Sequence, residues 1–315
     1  MSNCKEKFNN EMNKKNISNK DKTNNNIIFA KIKIEEDNSR QMIINSYENV
    51  IKLSGYESDD ADLEGIENEK QIKDCDIFIN DKKINFDYFY TFPYKGCYII
   101  KYKFNQLLNS TNYMFENCHS LTSLDLSNFN TSKVTDMAYM FGCCNSLISI
   151  NLSNLNTINV INMSNMFFEC EKLLSLDLSD FNTQNVTDMS NIFFYCQSLI
   201  SLNLSSFNTQ NVKNMLSMFS NCESLISLDL SNFNFKNVEI AGFMFSNCES
   251  LISVNLSNIK IKNETKMNGI FNNCNSLISL NLSNFNNENI DNMLWLFEDC
   301  NSLIKKVIDI FNKEK

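Results

Sequence analysis

Residues 114–141 read MFENCHSLTSLDLSNFNTSKVTDMAYMF, and the rest of the chain returns to this phrase at a fixed interval. Cys118, Cys144, Cys170, Cys196, Cys222, Cys248, Cys274 and Cys300 lie 26 residues apart. A phenylalanine stands three residues before each of them, from Phe115 to Phe297, and a leucine three residues after, from Leu121 to Leu303. No insertion breaks the register. A period of this length marks units that bury their apolar faces only against neighbours, so the spacing predicts a stacked solenoid over 107–303.

Each unit is expected to hold one short strand and one short helix, an α/β solenoid of the leucine-rich-repeat type. Leu124 and Leu126 are two apart among Ser123, Asp125 and Ser127, the alternation of a half-buried strand. Later units repeat it, and stacking in one direction predicts a parallel sheet. In 186–196, Val186, Met189, Ile192, Phe193 and Cys196 share one arc at 100° per residue, which predicts a short helix with Asn185 as N-cap. The Asn after the strand (Asn130, Asn156, Asn182, Asn208, Asn234, Asn286) is expected to turn the chain and to form a hydrogen-bond ladder. The cysteines are read as a buried column of small hydrophobes, with Cys143 facing outward. Two units depart from the pattern. Phe235 and Ala241 stand where Thr and Met recur, and Lys260 and Glu264 where Asn and Val do, which marks 235–243 and 260–266 as decayed or as partner-binding irregularities.

The flanks read differently. Residues 1–26 are polar and expected to be disordered. Residues 27–106 read as a small β-rich domain capping the first repeat. IIFAKIKIEE is a strand, RQMIINSYENVIKL a strand and turn, CDIFINDKKINFDYFYTF a hairpin about Asn80–Lys83, and GCYIIKYKF a last strand. In that last strand Tyr98 and Ile100 fall on the phase of the repeat leucines. Residues 304–315, with Ile304, Val307, Ile308 and Phe311, read as a C-terminal cap.

The unit at 114–141 resembles that of the BspA-like leucine-rich-repeat proteins, close to MFxxCxSLxSLDLSNFNTxNVTDMSxMF. The resemblance covers roughly 107–303. It implies a leucine-rich-repeat solenoid used for protein binding, and relatives that are surface proteins implicated in adhesion.

Composition excludes several function classes. A net charge of −9 argues against nucleic acid and anionic lipid. The N-terminus lacks an apolar signal core and no long apolar run spans a membrane, so a cytoplasmic location is expected, with the cell surface as the alternative. Six Gly and one Pro leave Asn and Ser to make the turns. His119 is the only histidine, no phosphate loop is present, and the carboxylates are dispersed. Neither catalysis nor a cofactor or metal site is therefore expected.

What remains is a surface. The candidate partner-binding face is Ser123, Asp125, Ser127, Asn151, Asp177, Asn203, Asp229, Asn255 and Asn281, expected to be small, polar and, if the sheet curves, concave. Its aspartates favour a basic protein partner. The alternative is a surface adhesin binding host or matrix proteins. A third reading, a flat array meeting a polysaccharide or ice lattice, is disfavoured by the lack of aromatic residues on that face.

Overall fold

The computed structural model describes residues 26–54, 68–256 and 265–280. The expected tail up to residue 25, the cap at 304–315, Lys260, Glu264, Asn281 and Asn286 lie outside the described residues; Asn26, read as the end of the tail, is instead buried and hydrogen-bonded to Gln106 and Asn130.

The N-terminal part is β-rich. Its strands are β1 (Ile27–Ile34), β2 (Ser39–Met42), β3 (Cys75–Ile79), β4 (Lys82–Ile84), β5 (Phe89–Phe92) and β6 (Gly96–Phe104), with two helices, α1 (Tyr47–Ser54) and α2 (Glu69–Lys73). The second stretch is thus a strand followed by a helix, not a strand and turn. The hairpin is shorter than expected: β3 and β4 pair across Asn80 and Asp81, whose φ of 46° and 65° suit a tight turn of positive φ, while β5 pairs with β2 instead. Alternate residues Ile28, Ala30 and Ile32 of β1 are wholly buried, as are Ile100 and Tyr102 of β6.

Strand β7 (Leu121–Asn128) opens the repeats and β8 (Ser149–Asn151) follows in the next unit, 26 residues on. The sheet order is β4-β3-β6-β1-β7-β8. Strand β1 therefore lies between β6 and β7 and is antiparallel to both. The phase match of Tyr98 and Ile100 does not place β6 beside β7. Sequence phase records side-chain facing, and a strand from elsewhere in the chain can enter without disturbing it.

The units stack in register. Ser123, Leu124 and Asp125 pair in parallel with Ser149, Ile150 and Asn151. Strands β9 (Ser175–Asp177) and β10 (Ser201–Asn203) pair likewise, as do β11 (Ser227–Asp229), β12 (Ser253–Asn255) and β13 (Ser279–Leu280). A second ladder of parallel bridges joins Ser110, Asp136, Asn162, Asp188, Asn214, Ile240 and Lys266. Inside, the phenylalanines form a column: Phe167, Phe193 and Phe219 stack at centroid distances of 5.9 and 5.5 Å. The cysteines of the described units are free thiols. From Cys144 onward each buried one donates to the carbonyl of the preceding unit's phenylalanine, as Cys196 Sγ does to Phe167 at 3.2 Å. Burial pushes the thiols up, Cys196 to about 12, so they stay protonated donors. Cys143 is half-buried rather than outward, its Sγ 3.7 Å from Glu169 Oε2.

The helix expected in each unit is absent from the described repeats; those segments are runs of turns. Residues four apart take positive φ, among them Asn165 and Glu169, then Asn191 and Tyr195, then Ser217 and Asn221. The backbone N–H groups alternate in destination. Those of Asn191, Phe193 and Tyr195 donate to the carbonyls of Leu216, Met218 and Ser220 in the next unit, while those of Phe194 and Cys196 close local turns on Asn191 and Phe193. A helix would keep these donors inside the segment, and one this short is marginal in water. Sending every second donor to a neighbour makes the segment part of the stack. The expected apolar face is present all the same: Val186, Met189, Ile192, Phe193 and Cys196 are all buried.

Curvature follows from the same bonds. Packed helices sit ~8–10 Å apart and strands ~4.8 Å, and that mismatch bends a strand-helix stack. Here the turn side of each described unit is joined to the next by backbone hydrogen bonds, as paired strands are, so no helix–strand mismatch acts on the stack. On the strand side the pairing is interrupted between β8 and β9 and between β10 and β11.

Two polar ladders differ from expectation. The Asn after each strand does not bond its counterparts; Asn156 Oδ1 accepts from the N–H of Ile158, two residues on, closing a turn. The ladder belongs to the next residue, a buried threonine. Thr157 Oγ1 donates to Asn182 O at 3.0 Å and accepts from Asn182 N at 2.8 Å, and Thr183 repeats this with Asn208. Asn185 is no N-cap, since its Nδ2 donates to Ile158 O of the preceding unit. The threonine ladder stops at Phe235, which is buried against Phe233.

Candidate functional site

The outward sheet face carries most of the candidate residues. Asn151, Asp177, Asn203, Asp229 and Asn255 are exposed, as are Ser149, Ser175, Ser201 and Ser227 beside them. Their geometry explains the sequence. The Oδ1 atoms of Asn151, Asp177, Asn203 and Asp229 each accept the N–H two residues on (Ser153, Ser179, Ser205 and Ser231 in turn), which ends the strand. The amide of Asn203 donates to Asp177 Oδ1 at 2.9 Å, and that of Asn255 to Asp229 Oδ1 at 2.9 Å. Alternation thus gives each carboxylate a donor from the neighbouring strand as well as separating like charges. Hydrogen bonds from Ser179 hold Asp177 below the usual carboxylate range, and those from Ser231 do the same for Asp229.

Asp125 does not belong to this face. It is 2 % exposed, because β1 pairs onto β7 and places Phe29 opposite it. Ser123 and Ser127 are half-covered by the same pairing, with Ser123 Oγ 3.1 Å from Ser149 Oγ. The exposed column begins at Asn151.

The face is also not wholly polar. Ile148, Leu174, Ile200, Ile226, Ile252 and Ile278 form an exposed aliphatic ladder, with Ile200 at 54 % exposure. Each immediately follows the buried leucine of the motif. Alternating with Ser224, Ser250 and Ser276, the last four line a shallow trough of about 710 Å³. The signal is legible in the sequence, since an apolar residue recurs four positions after every cysteine of the series from Cys144 onward. The two positions lie just before the strand, where Leu147 is wholly buried and Ile148 exposed.

On the turn side, Tyr113 and Tyr139 stack at 4.8 Å and Phe168 and Phe194 at 5.1 Å, within 9° of parallel. Rings stacked along the ladder offer solvent their edges rather than their faces, a poor platform for a sugar ring.

One titratable group is buried where the N-terminal part meets the first unit. Glu116 is 8 % exposed and accepts amide hydrogen bonds from Asn45 and Asn117. Burial pushes its carboxyl up to about 7, against the pull of those amides. The folded state then holds a proton that the unfolded chain releases above about 4.5. Stability is therefore expected to fall as pH rises from about 4.5 to 7, by roughly 3 kcal/mol. Glu116→Gln should flatten this slope in urea titrations across that range; an unchanged slope would show that another group carries it.

Among the described residues no three His, Cys, Asp or Glu side chains converge as a metal site requires, and no helix is long and apolar enough to cross a membrane. Fold and face together define a repeat protein whose units pair through small sheets. Residues 99–198, 172–280 and 226–315 match one family model, described as Mycoplasma protein of unknown function, DUF285. The matches together take in more than half of the chain, and the chain belongs to that family. No curated protein and no solved structure matches it.

Proposed function

We propose that the chain is a non-catalytic interaction module, a solenoid of leucine-rich-repeat type whose outward sheet face binds a protein. The observation that carries this reading is the exposed aliphatic ladder from Ile148 to Ile278 beside the Asp/Asn column. Six apolar side chains left in water at one repeat position form a contiguous stripe, and such stripes mark interaction surfaces. The resemblance to BspA-like repeats supports the same use. The carboxylates of Asp177 and Asp229 favour a partner that brings N–H donors, basic or amide, beside its apolar contacts.

The test is partner capture from source-cell lysate by the intact chain, by Asp177→Lys/Asp229→Lys, and by Ile226→Glu. Capture is expected to fall at least about tenfold with each variant while the urea midpoint stays put. Undiminished capture by both variants would remove the face from consideration.

A further inference from the structure

We propose that the occupant of this face is a second copy of the chain, docked with its stack running the opposite way, ladder against ladder; this rests on the reading of the face as an interaction surface.

Period is the first argument. The ladder's side chains repeat once per unit, close to strand spacing, ~4.8 Å, where β9 pairs with β10 and β11 with β12 and β13. Same-face residues of a single docked strand repeat at ~6.8 Å, so they slip by ~2 Å per step. A docked helix advances ~5.4 Å per turn and drifts by ~3 Å over the ladder's length. Another ladder of the same kind keeps register throughout.

Polarity is the second. A two-fold axis parallel to the strands, between β10 and β11, sets Ile200 over Ile226, Leu174 over Ile252 and Ile148 over Ile278 of the second copy. The same operation sets Asp177 opposite Asn255 and Asp229 opposite Asn203. Every described carboxylate of the exposed column meets an amide and none meets a carboxylate. Stacks running the same way would require reversed strands, which lays the carboxylate column of each copy over the aliphatic ladder of the other.

Size is the third consideration. Six ladder positions at strand spacing span ~24 Å, and the four residues from Ile148 to Asn151 span ~13 Å, or about 600 Å² over both copies. That is below the size of stable interfaces, so the dimer is expected to be weak and reversible. A charge of −9 on each copy opposes it. Salt should therefore strengthen self-association, whereas it would weaken the binding of a basic partner.

The experiment is sedimentation equilibrium of the intact protein from about 1 to about 200 μM, at low and high sodium chloride, a range that brackets the affinity such a patch supports. The expected result is a weak monomer–dimer equilibrium, half-associated only toward the upper end of that range, that tightens with salt. Ile200→Glu/Ile226→Glu should weaken it at least about tenfold, and the milder Ile200→Ser/Ile226→Ser should weaken it measurably, with circular dichroism unchanged. A monomer at every concentration, or a dimer indifferent to both pairs of substitutions, overturns the inference. If the protein stays monomeric while Ile226→Glu still abolishes capture of another protein, self-association fails and the interaction module stands.

Discussion

Phe193→Ala is expected to lower the free energy of unfolding by about 3–5 kcal/mol. Phe193 is wholly buried, stacked between Phe167 and Phe219, and its carbonyl accepts the thiol of Cys222 at 3.2 Å. Truncation removes the ring from the middle of the column and leaves a cavity that rigid, hydrogen-bonded neighbours cannot close. In a stack each unit touches only the next, so a central defect also weakens the coupling between the two halves. Urea unfolding should show an earlier and broader transition. Phe193→Leu, which keeps most of the volume, should cost under about 1.5 kcal/mol. An alanine variant within about 1 kcal/mol of the parent would mean that the column is not what holds the units together.

Ala30→Pro is expected to cost at least about 3 kcal/mol, for a different reason. Ala30 is wholly buried in β1, opposite Ile100 of β6 and Leu124 of β7. As the central strand of three, β1 has no unpaired edge on which a missing N–H could be tolerated. The proline removes one ladder bond and forces its ring between two strands. Detaching β1 would also bare the edge of β7 and the side of Asp125, and exposed edges pair with other chains. Lower thermal stability with soluble aggregates in size-exclusion chromatography is the expected pair of results. A proline variant that stays free of aggregates with an unchanged midpoint would show that β1 is dispensable to the stack.

How much of this is legible in the sequence depends on the kind of information. Which residues face inward follows from their type and spacing, so the phenylalanines and the series cysteines of the described motifs and the Val186-to-Cys196 set are buried as expected, and the strand leucines are buried or, as at Leu202 and Leu280, half-buried against the core. Where backbone donors go does not follow from spacing. The pattern that predicts a helix over 186–196 serves a run of turns equally well, because both bring the same side chains to one side. The aliphatic ladder is present in the sequence but hidden by its neighbour: Leu147 and Ile148 together look like one apolar run, alternation counted from Ile150 would turn Ile148 inward, and the fold instead buries Leu147 and exposes Ile148.

The chain's repeat period by itself determined the stacking in register, the buried columns and the membership of the polar face from Asn151 onward. The tertiary structure alone decided that β1 covers Asp125 and that the turns replace the helices. The physical reason is the same in each case. Burial is a property of a residue and its periodicity, whereas a backbone hydrogen bond needs a partner, and the partners that join these units lie about one repeat or more away along the chain.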